Sequence, residues 1–112
     1  MRNLDSMFAA LADPTRRAIL ARLAKSEATV MELAEPFAMS QPAVSRHLKV
    51  LEQAGLIARR ADGTKRPCRL VPGSVDPIDQ WLAMLRTALS RNYERLDDVL
   101  ADMKSTKARE KR

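Results

Sequence analysis

The chain has one cysteine (Cys68), one histidine (His47), one tryptophan, one tyrosine and two phenylalanines among its 112 residues. A lone cysteine cannot close an internal disulfide and cannot build a thiolate metal cage. One histidine and one cysteine leave no paired nucleophile and base, so no catalytic residue is assigned and an enzyme is not expected. An aromatic content of 4% leaves an aliphatic core. No apolar run approaches the roughly 18–20 residues that span a bilayer, and the N-terminus lacks the layout of a signal peptide. The expectation is a cytoplasmic chain with no membrane partner, folded as one small domain with a modest core.

What is present is positive charge, unevenly placed. The formal net charge is +6. Residues 41–70 hold seven basic groups (Arg46, Lys49, Arg59, Arg60, Lys65, Arg66, Arg69) against Glu52 and Asp62. Residues 1–40 balance, 71–103 are net acidic, and 104–112 are net basic. A field concentrated on one segment suits a polyanion better than it suits mere solubility.

Leu4, Met7, Phe8 and Leu11 have helical spacing and predict a short helix from about Asp5 to Ala12. Asp13-Pro14 reads as an N-cap followed by proline at the first helical position, opening a second helix through Ile19, Leu20 and Leu23. Thr29-x-x-Glu32 has the form of a capping box and opens a third helix, Val30 to about Phe37. Ser40 is a good N-cap for a fourth, which ends at Gly55. The third and fourth helices, joined by a short turn, form a helix-turn-helix. Two short segments, 56–61 and 66–71, flank Asp62-Gly63-Thr64-Lys65 and predict a β-hairpin, with Pro67 at an edge or at a strand start. From about Pro77 to Met103, Ile78, Leu82, Leu85, Leu89, Asn92, Leu96, Val99 and Met103 repeat at alternating steps of four and three. That is coiled-coil spacing, and Asn92 is the kind of polar member that sets register. Trp81, Tyr93 and Leu100 widen the stripe. The boundaries that follow are a folded domain over 1–103 and a basic tail over 104–112, expected to be disordered.

At about 100° per residue, Val44, Leu48 and Leu51 share one face of the fourth helix. Pro42, Arg46, Lys49 and Gln53 lie on the opposite face, with Ser45 on its flank and Gln41 in the first turn. By itself this is the pattern of an ordinary amphipathic surface helix. Arginine and glutamine, however, bind guanine and adenine edges in a bidentate way, and a helix fits the major groove of B-DNA. Ser40, Gln41 and the free N–H groups of the first turn can hold a phosphate. A hairpin carrying Lys65 and Arg66 directly afterwards is what a wing needs to reach phosphates beside that groove. His47 falls at the margin of the apolar face and reads as a hydrogen-bonding residue that helps to seat the helix.

The stretches "LADPTRRAILARL" (Leu11–Leu23), "SQPAVSRHLKVLEQAGLI" (Ser40–Ile57) and "RRADGTKR" (Arg59–Arg66) resemble the ArsR-type winged-helix transcriptional regulators, the arsenical-resistance-repressor family. The resemblance covers about residues 4–100. It implies a mainly α fold with a small β-hairpin wing, a winged helix-turn-helix of order α-α-α-α-β-β-α, and a homodimer built from the first and last helices. It also implies a repressor that binds an inverted-repeat operator in double-stranded DNA, with Ser40, Gln41, Ser45 and Arg46 as contact positions. The face argument adds Pro42, Lys49 and Gln53, and the wing adds Lys65 and Arg66. The dimer positions are Leu4, Met7, Phe8 and Leu11 in the first helix and Trp81, Leu82, Leu85, Leu89, Asn92 and Leu96 in the last.

The departures from the family are also informative. The third helix, "VMELAEPFA", has no cysteine pair, and the last helix has carboxylates but no histidine. The metal sites usual in the family are therefore not expected, no cofactor is assigned, and the effector is unspecified. Cys68 reads as a small strand residue. Two alternatives to an operator-binding repressor stay open: a winged-helix module that binds a protein, and a regulator with an unrecognised metal or redox sensor.

Overall fold

A computed structural model describes residues 2–61, 63 and 65–110, with side chains described over 4–61, 63 and 65–104. Two compact units are present, Met1–Ile78 and Asp79–Arg112. The elements are α1 (Arg2–Leu11), α2 (Pro14–Leu23), α3 (Val30–Ala34), α4 (Gln41–Gln53), β1 (Ile57–Arg59), β2 (Cys68–Leu70) and α5 (Asp76–Glu110). The order matches the sequence expectation of a winged helix-turn-helix.

Local chemistry sets most helix ends. Asp13 caps α2, its Oδ2 accepting from the Arg16 amide at 3.0 Å, with Pro14 behind it in the first turn. The capping box at α3 is complete: the Glu32 amide donates to Thr29 Oγ1 at 3.3 Å, and the Thr29 amide donates to Glu32 Oε1 at 3.2 Å. Ser40 Oγ accepts from the Ala43 amide at 3.3 Å and starts α4. Gly55, at φ +79°, takes the left-handed conformation that ends it. α3 is shorter than expected, stopping at Ala34 rather than near Phe37. Pro36 explains this: Glu35 keeps helical backbone angles, but Pro36 has no amide to donate to the Glu32 carbonyl, and the Phe37 amide turns back to the Ala34 carbonyl at 3.1 Å. The turn before α4 is correspondingly longer, running from residue 35 to residue 40.

The hairpin pairs Ile57 with Leu70, Ala58 with Arg69 and Arg59 with Cys68, antiparallel. The Arg60 amide still donates to the Pro67 carbonyl at 3.0 Å. Pro67 has no amide to return, so regular pairing stops there and the strands are shorter than the sequence segments. The expected turn residues Asp62 and Thr64 lie outside the described residues. Cys68 also exchanges backbone bonds with Ala28, donating at 2.8 Å and accepting at 3.2 Å, which ties the wing's root to the α2–α3 connection.

The core of the first unit is aliphatic. Ile19, Leu33, Val44, Leu48, Leu51, Leu56 and Cys68 are fully buried, and α4 packs against α1, α2, α3 and β1. Met7, expected on a dimer face, is only 2% exposed and belongs to this core, because its face of α1 also carries buried Ala10. Ile78, expected to open the seam, is buried as well.

In the second unit α5 continues to Glu110, past the expected end near Met103. Lys104, Lys107, Ala108, Arg109 and Glu110 are all good helix formers, so nothing local stops the helix there. Lys111 and Arg112, the end of the expected tail, lie outside the described residues. At about 1.5 Å per residue α5 is about 50 Å long. Met84, Leu89, Tyr93, Leu96, Val99, Leu100 and Met103 are exposed along it.

Candidate nucleic-acid interface

α4 is anchored by one side and displayed by the other. Val44, Leu48 and Leu51 are completely buried, which fixes the helix's rotation about its own axis. Gln41, Pro42, Arg46, Lys49 and Gln53 are exposed as a consequence, with Ser40 at the cap and Ser45 half-buried on the flank. Arg46 makes only a long contact, Nε to the Pro42 carbonyl at 3.4 Å, so its guanidinium is available to an outside acceptor. On the hairpin, Lys65 and Arg66 are exposed.

Two of the hairpin's other arginines are engaged by neighbouring elements, Arg59 half-buried and Arg60 at the surface. Arg60 pairs with Glu27 at 3.1 Å. Arg59 reaches α4, its Nη2 donating to the Ser45 carbonyl at 3.5 Å and its Nε standing 3.9 Å from Glu52 Oε2. It thereby braces the wing against the displayed helix. Charge alone made all four residues look alike, because contact with a neighbouring element cannot be read from a residue's type.

A second group seats α4 from the other side. Arg16 donates Nε to the Ala10 carbonyl at 2.7 Å and Nη2 to the Ala9 carbonyl at 2.9 Å, satisfying the open end of α1. Arg17 does the same for the Leu11 carbonyl at 2.8 Å. Arg16 Nη1 also lies 3.3 Å from His47 Nδ1. Asp13 Oδ2 is 3.9 Å from the same nitrogen. His47 is thus half-buried and linked to α2, as its place on the margin of the helix predicts. The role of Arg16 was not legible in the sequence; its signal was only that Asp13-Pro14-x-Arg16 follows directly on the end of α1.

These contacts shift two carboxyls. Asp13 lies below the ordinary aspartate range, mainly because the Arg16 amide donates to it, with His47 and the Arg16 charge adding to the effect against a smaller cost of burial. Glu32 is lowered by the Thr29 amide and then by the Thr29 hydroxyl. Burial pushes the Cys68 thiol up, the nearby Arg59 charge offsetting only part of this. A buried thiol held protonated is a poor nucleophile. Among the described residues no group of three or more His, Cys, Asp or Glu could hold a metal ion, and no helix is long and apolar enough to cross a membrane.

The dimer positions are scattered over both units. In α1, Phe8 is exposed and Leu4 and Leu11 are half-buried; in α5, Trp81, Leu89, Asn92 and Leu96 are exposed and Leu82 and Leu85 half-buried.

Comparison with known proteins bears on this geometry. Residues 13–59, which run from the cap of α2 to the end of β1, match the model of the bacterial regulatory protein, arsR family. The chain is 47% identical over 94 residues to the HTH-type transcriptional regulator Rv2034 of Mycobacterium tuberculosis, covering 84% of this chain and 81% of that protein. It is 40% identical over 60 residues to the transcriptional repressor SdpR of Bacillus subtilis, covering 54% of this chain and 67% of that one. The crystal structure of the ArsR family transcriptional regulator RHA00566 superposes with a TM-score of 0.75 at 39% identity, over 80% of this chain and 92% of that one. The chain belongs to the ArsR family of bacterial transcriptional regulators.

Proposed function

We propose that the protein is a repressor that binds an inverted-repeat operator in double-stranded DNA as a homodimer. One observation carries the reading: α4 buries Val44, Leu48 and Leu51 completely and so presents Gln41, Arg46, Lys49 and Gln53 outward, beside the exposed Lys65 and Arg66 of the wing. In this reading Gln41, Ser45, Arg46 and Lys49 contact base edges in the major groove, with Gln53 farther along the same stripe. Ser40, Lys65 and Arg66 hold phosphates, and Pro42 keeps the first turn rigid. The exposed apolar stripe of α5, with Phe8, Leu4 and Leu11 of α1, supports self-association as the means of engaging two half-sites. That the relative SdpR is a repressor supports repression over activation. A chromosomal target implies a cytoplasmic protein.

The test is selection of bound duplexes from a genomic fragment library, followed by binding to the selected site across salt concentrations. Affinity should fall steeply as salt rises, with a clear preference over random DNA. Arg46→Ala should cost about 1–3 kcal/mol and relax base preference at one position, whereas Lys65→Ala should weaken all sequences alike and flatten the salt slope. Salt-insensitive or absent duplex binding would overturn the reading in favour of a protein-binding module.

A further inference from the structure

Between the first turn of α3, the first turn of α4 and the hairpin lies a cleft of about 740 Å³. Its volume falls within the range of small-molecule pockets, about 300–1,000 Å³. Val30 and Met31 supply apolar lining, and Gln41, Arg59, Lys65 and Arg66 supply polar groups. Met31 is 67% exposed, so its side chain is open to a ligand in the cleft. Arg59, at 18% side-chain exposure, carries a buried Nε with no hydrogen-bond partner, since Glu52 stands too far away at 3.9 Å. One acid, Glu32, also lines the cleft, but its carboxylate is occupied by the Thr29 amide and hydroxyl. Three cations therefore line the cleft beside an apolar patch; its one lining acid is already engaged, and Glu52 meets only Arg59, from outside the cleft at 3.9 Å.

We propose that this cleft is an effector site for a small amphipathic organic anion, a carboxylate whose apolar body rests on Val30 and Met31 and whose head meets Arg59, Lys65 and Arg66. The guanidinium and ammonium groups match a carboxylate, and the apolar lining is what inorganic phosphate or acetate would leave unused. Gln41, Lys65 and Arg66 are also DNA positions, so an occupied cleft excludes the duplex. This last step rests on the proposed DNA reading, whereas the binding step does not.

The test uses the full chain and sodium octanoate, followed by calorimetry, with acetate and 1-octanol as probes of head and body alone. Octanoate should bind saturably, and each control should bind at least about tenfold more weakly, having only one of the two features. Met31→Ser should weaken octanoate about fivefold, from the lost apolar contact, while leaving duplex affinity unchanged. Arg59→Gln should weaken it about tenfold in a chain whose thermal melt shows that it still folds. Octanoate should release the selected duplex in proportion to occupancy. Absence of saturable octanoate binding overturns the site, as does octanol binding as tightly. Octanoate that binds yet leaves duplex affinity untouched overturns the competition. If Arg59→Gln weakens only the duplex, the cleft holds a DNA strand and the proposal is wrong. A chain that takes octanoate but no duplex supports the site while refuting the DNA reading.

Discussion

Asp13 shows how much one side chain can organise. It caps α2 through the Arg16 amide, and it stands beside the His47–Arg16 contact that links α4 to α2. Its carboxyl titrates below the ordinary range, so the ionised form is stabilised by folding. The sign follows from linkage: the contribution is fully present above the unfolded-state value of about 4 and is lost as pH falls through the lower folded-state value. Asp13→Asn keeps a capping oxygen but removes the charge. Urea midpoints at pH 5 and pH 2.5 should therefore show the gap between wild type and Asp13→Asn narrowing at the lower pH. A constant gap would mean that the charge contributes nothing beyond the cap.

At the scale of elements, the candidate interface depends on where α4 starts, how it is rotated and where it stops. Ser40 sets the start, the buried Val44, Leu48 and Leu51 set the rotation, and Gly55 sets the stop. A Cβ at Gly55 would meet nothing within 4 Å, so a substitution there acts through backbone conformation alone. Gly55→Ala should lower stability by about 1 kcal/mol, and Gly55→Asn by less, because asparagine tolerates the left-handed region better. Equal urea midpoints for wild type and Gly55→Ala, at constant m, would show that the helix end does not need this conformation. The caps and the glycine were legible because each works through residues within four positions of itself. The early end of α3 is legible on the same ground, because Pro36 has no amide with which to continue the helix.

The long helix poses the question of the whole molecule. Leu96, at 54% exposure, Val99 and Met103 lie along a stripe with the four-three spacing of a helix that pairs with another. A helix of this kind gains most of its stability from packing that face. If a second copy covers it, Leu89→Asp and Leu96→Asp should each give a monomer by light scattering and weaken duplex binding at least about tenfold, through loss of the second half-site. A wild type that is monomeric at micromolar concentration would contradict the dimer.

By itself the sequence determined the order of elements, the caps, the hairpin and the two faces of α4, because these depend on periodicity and on neighbours along the chain. The polar stripe from Gln41 to Gln53 and the wing cations were readable for the same reason. Tertiary structure alone decided what lies far apart in sequence and close in space. It placed Met7 in the core, turned Arg59 inward and paired Arg60 with Glu27 at the surface while leaving Lys65 and Arg66 outside, and set Arg16 on the end of α1 and against His47. Long side chains of one charge are interchangeable in a linear pattern. Only the packing of α3, α4 and the hairpin determines which of them meet water and which meet protein.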